Sequence, residues 1–269
     1  MNADSIFQII VTAIVQGITE FLPISSSGHL FFVNELFSWN DINLTLIIAA
    51  HLGTLFAVII YFWQDFKNYL IFGPLEFFKK KKTFNFNLFL NLICSSIPII
   101  ILGAFLKLQK INYVYNSTLI AYCAIFFSLL LFFSDKKKTN KKLADISFKD
   151  SFFIGILQIF ALVPGSSRAG LCITAARFLG FNRICSAKYS IYLSIPAISR
   201  ASFIMFFDVI KQNSLFLWIE TALVFFLSFL IAYLTISFFI KLLRIINFKI
   251  FVIYRILVAI IFLILFNVF

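Results

Sequence analysis

The sequence predicts an all-α polytopic membrane protein built as an inverted-topology repeat. Each half is one re-entrant helix-loop-helix hairpin followed by three transmembrane helices. Three observations point there. The 269 residues are 62% hydrophobic and 13% charged, with a mean hydropathy of +1.01, and a soluble domain of this length needs far more polar surface. Two long apolar segments, 5–33 and 151–180, are broken in the middle by Pro, Gly and Ser. The lysines gather in three loops that fix an orientation.

The elements follow in chain order. A helix needs about 20 apolar residues to cross a bilayer. Segments 44–64, 88–106, 117–134, 187–207, 215–237 and 249–268 meet that requirement as full spans. Segments 5–33 and 151–180 do not, because broken backbone at membrane depth survives only where protein buries it or a cavity receives it. Both are expected to be re-entrant hairpins. Lys67 and Lys79 to Lys82 lie in loop 65–87, six lysines from Lys136 to Lys149 in loop 135–150, and Lys241, Arg244 and Lys249 in loop 238–249. The positive-inside rule puts all three in the cytoplasm. Loop 107–116, with Lys107 and Lys110, and loop 208–214, with Lys211, then fall outside, as do residues 34–43 and both termini. Segment 151–180 enters from the cytoplasm and 5–33 from outside. A single crossing by 5–33 would instead put the N-terminus inside and break the symmetry. Trp39, Trp63 and Trp218 fall near the expected interfaces. The domain is single, 1–269: repeat 1 about 1–134, a Lys-rich cytoplasmic linker 135–150, and repeat 2 about 151–269.

No signal peptide is expected, because the N-terminus lacks a basic region and apolar runs recur to the end of the chain. The formal charge of +12 is explained by positive-inside loops and anionic lipid headgroups, so no nucleic-acid partner is expected. Cys94, Cys123, Cys172 and Cys185 lie far apart and are read as free thiols packed between helices. No Cys/His cluster suggests zinc.

The two breaks carry the chemistry. The first reads Gln16-Gly-Ile-Thr-Glu20-Phe-Leu-Pro-Ile-Ser-Ser-Ser-Gly-His29. The second reads Gln158-Ile-Phe-Ala-Leu-Val-Pro164-Gly-Ser-Ser-Arg168-Ala-Gly170. Each begins with Gln and closes with Gly. Each places two serines two and three positions after Pro, Ser25 and Ser26 in one and Ser166 and Ser167 in the other. Glu20 stands deep in an apolar segment, and an ionisable group there costs roughly 2.5–3.5 kcal/mol on insertion scales, which marks a functional site by default. The plain alternative is a structural carboxylate bonded to serines. Gln16, one turn earlier on the same face, suits an interhelical hydrogen bond as well as a ligand. Arg168 stands where a half-helix begins, so guanidinium, free N–H groups and dipole together suit a phosphate or carboxylate. Pairing with Glu20 is compatible with that role. His29 suits nucleophilic or acid–base work near neutral pH, against a packing role. His51 has no polar neighbours in sequence and is read as packing. The serines could cradle phosphate oxygens, or one could be a nucleophile activated by His29 or Glu20. Phosphoryl transfer on an amphiphile fits this set. A diphosphate would invite Mg²⁺ or Ca²⁺, which prefer oxygen ligands. A transporter or flippase of an anionic lipid or solute is the alternative, since inverted repeats with re-entrant hairpins are common in transporters.

The motifs QGITEFLPISSSGHL and PGSSRAGLCIT, with HLGTLFAVIIYF and AKYSIYLSIPAI in support, resemble the undecaprenyl-diphosphate phosphatase family of the bacitracin-resistance type, over nearly the whole chain. The resemblance implies a multi-pass enzyme of the bacterial inner (cytoplasmic) membrane. Its active site would be reached from the outer, periplasmic face. It would remove the terminal phosphate of a polyprenyl diphosphate, undecaprenyl diphosphate, and so recycle the lipid carrier for cell-wall peptidoglycan synthesis. Bacitracin would compete for the same lipid, a divalent cation would assist, and a homodimer is allowed. Carried over by residue, Glu20 is the motif carboxylate and metal ligand. Ser26 and His29 are the proposed nucleophile and acid–base residues, in an order the sequence leaves open. Ser167 and Arg168 are the phosphate-binding pair. Gln16, Ser25, Ser27, Gly165 and Ser166 complete the expected substrate contacts. Gln16 stands where some members have a carboxylate, and Ala169 stands where Ser is usual. A second lipid phosphatase family shares a Ser-Gly-His segment, like Ser27-Gly-His29, but it needs a His after the Ser-Arg, and none follows Ser167-Arg168.

Overall fold

A computed structural model describes residues 3–39, 44–78, 83–109, 116–137, 140–212 and 215–267. Lys79 to Lys82, Lys110 and Lys138, which carry part of the orientation reading, lie outside these residues. So do residues 40–43 of the expected outer loop.

Every regular element among the described residues is helical. In order they are α1 (Ala3–Thr19), α2 (Ser26–Leu36), α3 (Leu44–Tyr61), α4 (Trp63–Phe66), a π-helical turn (Lys67–Phe72), α5 (Gly73–Phe78), α6 (Phe84–Leu108), α7 (Ser117–Asp135), a 3-10 turn (Leu143–Asp145), α8 (Phe148–Gln158), a 3-10 turn (Ile159–Leu162), α9 (Arg168–Phe178), α10 (Arg183–Gln212), α11 (Leu215–Leu242) and α12 (Lys249–Asn267). Within the described residues, five stretches are long and apolar enough to cross a membrane: Leu44–Tyr61, Phe84–Leu106, Ser117–Asp135, Leu217–Leu242 and Lys249–Phe266. This is a multi-pass membrane protein. The sixth expected span, 187–207, is helical within α10, which carries Arg183 and Lys188 in its first turns, but it is not one of the five. The expected loop 65–87 is instead helical over much of its length. The reason is aromatic packing: Tyr69 is buried, with its ring 4.8 Å from that of Tyr192.

The packing is that of a membrane bundle. On α11, Phe226, Leu230, Leu234 and Phe238 recur every four residues and are 54–64% exposed, while Val224, Ser228, Ala232 and Ile236 face inward. Large side chains outward and small ones inward is the pattern expected where lipid, not water, is the solvent, since close backbone approach replaces the hydrophobic driving force. Gly53 of α3 shows how close. A Cβ there would lie 2.3 Å from the Phe225 carbonyl and 2.2 Å from Ser228 Oγ. Helix α3 packs on α11 and α10, α1 on α11, α8 on α6, α7 on α12, and α9 on α7, α8 and α10. Residues Ala169 to Arg177 of α9 are all buried. The second arm of segment 151–180, α9, therefore lies inside the bundle, while the first arm exposes Phe152, Phe153 and Phe160. The four cysteines are free thiols.

Candidate active site

Both broken segments end the same way. Ser25 and Ser167 take positive backbone angles, φ 76° and 69°, a conformation uncommon for a side chain other than Gly and concentrated at functional sites. Each then caps the helix that follows. Ser25 Oγ accepts from the Gly28 N–H at 3.3 Å, and Ser167 Oγ accepts from the Gly170 N–H at 3.1 Å. Capping serines satisfy one of the free N–H groups at a helix start. The match is one residue out of step with the pairing through Pro. Ser25 corresponds to Ser167, each nine residues after its Gln and three before its Gly. Only the proline is displaced, seven residues after Gln16 in the first segment and six after Gln158 in the second, where a 3-10 turn (Ile159–Leu162) follows α8. Ser26 and Arg168 consequently occupy equivalent positions, the first residue of α2 and of α9.

Glu20 joins them. Its side chain is 6% exposed. Oε1 accepts from Arg168 Nη2 at 2.9 Å, and Oε2 accepts from Ser26 Oγ at 2.8 Å and from Gln16 Nε2 at 2.8 Å. Arg168 is held by a second bond, Nη1 to the Ser190 carbonyl at 3.1 Å. Residues 148 positions apart thus form one buried ion pair, and Ser26 presents its hydroxyl to the carboxylate. His51 completes the group, its Nε2 3.7 Å from Glu20 Oε2. Its Nδ1 lies 2.8 Å from the Ile47 carbonyl. A carbonyl only accepts, so Nδ1 carries a proton and Nε2 is the ring atom turned toward Glu20.

A cavity of about 230 Å³ opens on this group, lined by Glu20, Ser25, Ser26, Ser27, His51, Ser167 and Arg168 among others. Gln16 stands behind it, fully buried. Ser166 is fully buried too, its hydroxyl turned back onto the Val163 carbonyl at 2.7 Å. Gly165 shapes the turn: its φ is +86°, and a Cβ would lie 2.4 Å from the Ile120 carbonyl. His29 is placed apart from the cavity. Its Nδ1 lies 2.8 Å from the Ser25 carbonyl and its Nε2 2.9 Å from the Tyr254 hydroxyl, with the two rings stacked.

Two residues of this region were not expected at the site: His51, read from the sequence as packing, and Arg255, not singled out there. Arg255 is 2% exposed and donates Nη2 to the Gly165 carbonyl at 2.5 Å and to the Ser166 carbonyl at 2.6 Å. It clamps the turn that presents Ser167 and Arg168. Both residues interrupt apolar spans, so the cost that singles out Glu20 applies equally to them. Of the His51 ring contacts, the Ile47 carbonyl belongs to the same helix and only Glu20 comes from another element, so the chain around His51 does not announce the pair.

The family described as bacitracin resistance protein BacA matches residues 9–261. The chain belongs to that family. Relatives agree over the full length. An undecaprenyl-diphosphatase of Pelagibacter ubique (strain HTCC1062) is 39% identical over 272 residues, covering 98% of this chain and 99% of the relative. One of Jannaschia sp. (strain CCS1) is 37% identical, covering 97% and 98%. Undecaprenyl-diphosphatase 1 of Pseudoalteromonas translucida (strain TAC 125) is 38% identical, covering 95% and 97%.

The donors of this BacA-family site bear on a divalent cation. Among the described residues no group of three His, Cys, Asp or Glu could hold one. Glu20 is the one carboxylate lining the cavity, and both its oxygens already accept. Gln16 Oε1 is buried without a partner. That set fits a cation brought in on phosphate oxygens and touched by one carboxylate, the way Mg²⁺ is commonly held. It does not fit a closed protein cage.

Proposed function

We infer that this protein is a membrane hydrolase that cleaves undecaprenyl diphosphate to undecaprenyl phosphate and inorganic phosphate, returning the lipid carrier to peptidoglycan synthesis and conferring bacitracin resistance. The observation that carries it is the junction of the two broken helices, where Ser26 Oγ donates to Glu20 Oε2 and Arg168 donates to Glu20 Oε1. The relatives named as diphosphatases support the same chemistry. The transporter reading is not favoured beside them.

The residues divide the work as follows. The terminal phosphate enters between the starts of α2 and α9, where free N–H groups and Arg168 meet its charge. Ser26 Oγ attacks the terminal phosphorus and its proton passes to Glu20. The bond from that phosphorus to the bridging oxygen breaks, and undecaprenyl phosphate leaves. Water then attacks the phosphoserine phosphorus and loses its proton to His51, while the bond from phosphorus to Ser26 Oγ breaks and Glu20 returns the proton it holds. Phosphate departs and Ser26 recovers its hydrogen. Ser26 is favoured as nucleophile over His29 because its hydroxyl faces the cavity and already touches a base, whereas both nitrogens of His29 are engaged elsewhere. A divalent cation would be held by Glu20 and Gln16 together with the diphosphate, and would neutralise phosphate charge.

The finer architecture belongs to the same reading. Helices α2, α8 and α9 have 11 residues each, about 16 Å at 1.5 Å per residue, roughly half a bilayer core. That supports a re-entrant hairpin for 151–180 and for the returning arm of 5–33, whose first arm, α1, is longer at 17 residues. The equal caps at Ser25 and Ser167 support a repeat. So does the exchanged packing, in which α1 lies on α11 of the other half and α8 on α6. With the lysine loops inside, the cavity faces the periplasm and the membrane is the inner one. Bacitracin competes for the same diphosphate lipid.

The test is phosphate release from undecaprenyl diphosphate by purified protein in detergent, with and without Mg²⁺ or Ca²⁺, for wild type and Ser26→Ala. Release by wild type and a loss of about 100-fold or more in the variant is expected. A folded wild-type protein that releases none under any cation condition overturns the assignment.

A further inference from the structure

A second, larger cavity shares no lining residue with the one above. It has a volume of about 780 Å³ and lies where the end of α7, the end of α9, the start of α10 and the α11–α12 connection meet. Six cationic side chains line it: Lys136, Lys137, Arg177, Arg183, Arg244 and Lys249. One carboxylate faces them, Asp135, and it is already used. Its Oδ1 takes Arg177 Nε at 3.0 Å and Arg183 Nε at 2.8 Å, and its Oδ2 accepts the Phe248 N–H at 3.0 Å. No carboxylate partner is found among the described residues for Lys136, Lys137, Arg244 or Lys249. Lys136 lies instead over the Phe132 ring, 4.6 Å from its centroid.

We propose that this cavity is a second anion site, one that takes a phosphate headgroup. Like charges gathered around a concave wall raise the local concentration of counter-anions. Positive-inside bias alone explains lysines in loops, but it does not require cations from three separate connections to converge on one hollow. The arginines supply planar forks suited to phosphate oxygens. Beside the cavity, Phe133 is 55% and Ile245 86% exposed, so an apolar tail attached to the phosphate would lie against side chains that already face lipid. Basic pockets between membrane helices on the cytoplasmic side hold anionic lipid heads in this way. The ligand is therefore a phosphate group, carried by an anionic phospholipid or free. The proposal does not depend on the hydrolase assignment.

The experiment uses the full-length protein in a neutral detergent. Retention of phosphatidylglycerol and of phosphatidylcholine is measured by native mass spectrometry, and inorganic pyrophosphate binding by calorimetry in a separate arm. Wild type is compared with Arg244→Gln/Lys249→Gln and with Lys142→Gln/Lys149→Gln, which removes two charges from exposed positions outside the cavity. Wild type and the outside variant should retain phosphatidylglycerol over phosphatidylcholine, and the cavity variant should lose about 30-fold in affinity, the size of two basic groups near a phosphate surface. Pyrophosphate binding that the cavity variant alone loses would support the site and assign it to free phosphate. Equal loss in both variants, or no preference for the anionic lipid together with no pyrophosphate binding that the cavity variant alone loses, overturns the proposal and leaves only a diffuse basic face. A photoreactive phosphatidylglycerol on the wild-type protein gives a check that needs no variant. Crosslinks should map to 132–140 or 243–249, and crosslinks confined to other segments refute the site.

Discussion

Glu20→Gln is the substitution that separates structure from chemistry here. The carboxylate answers three donors at once: Arg168 on Oε1, and Gln16 and Ser26 on Oε2. An amide has one oxygen. If it faces Arg168, its NH₂ points at Gln16 and Ser26. Gln16 can then turn its own amide and offer Oε1, which has no partner in the native arrangement. Ser26 cannot be repaired in that way and loses its base. The reverse orientation sets NH₂ against the guanidinium and is worse. Arg168 keeps a hydrogen bond but loses its counter-charge, so stability should fall by about 3 kcal/mol, the low end for breaking a buried pair from one side. The hydrolytic rate should fall further, by about 10²–10⁴-fold, the size of a general base. Thermal unfolding in detergent and phosphate release from undecaprenyl diphosphate measure the two effects separately. The double variant Glu20→Gln/Arg168→Gln removes the stranded cation, so it should recover part of the lost stability while staying inactive. If Glu20→Gln keeps a tenth of the wild-type rate, Glu20 is not the base. If the double variant shows the full sum of the two single losses in stability, the ion pair carries no coupling.

Three further outcomes test the same arrangement. His51→Ala should slow phosphate release by about 100-fold or more and should do so more than His29→Ala in the same assay, since His51 lines the cavity and His29 does not; the opposite ranking would return the proton-transfer role to His29. Gly165→Ala forces a side chain into φ +86° against the Ile120 carbonyl, and should lower the melting temperature and the rate together, by about 1–3 kcal/mol of strain; unchanged values would mean the turn adapts freely. Asp135→Ala leaves Arg177, whose side chain is 3% exposed, without a counter-charge and should destabilise by about 3–5 kcal/mol in detergent unfolding, with no loss expected if Arg177 is held by carbonyls alone.

By itself, the sequence determined the class of molecule and the two segments where its polar residues gather. Hydrophobic runs longer than a bilayer core mark spans whatever they pack against, and α3, α6, α7, α11 and α12 stand where those runs stand. Breaks rich in Pro, Gly and Ser inside apolar segments, with an ionisable group beside them, mark polar sites because polar atoms in lipid are costly unless they are used. Glu20, Ser26 and Arg168 were legible on that ground. Only the tertiary structure decided which groups meet. It paired Ser25 with Ser167, not Ser166, because cap geometry depends on backbone angles, which the position of the proline does not fix. It brought His51 to Glu20 from a helix without another polar landmark nearby, and it turned His29 toward Tyr254. It set Arg255 under the second turn. These are contacts between elements distant in the chain, and side-chain direction at a helix crossing is fixed by both helices together, so no local pattern in either one contains it.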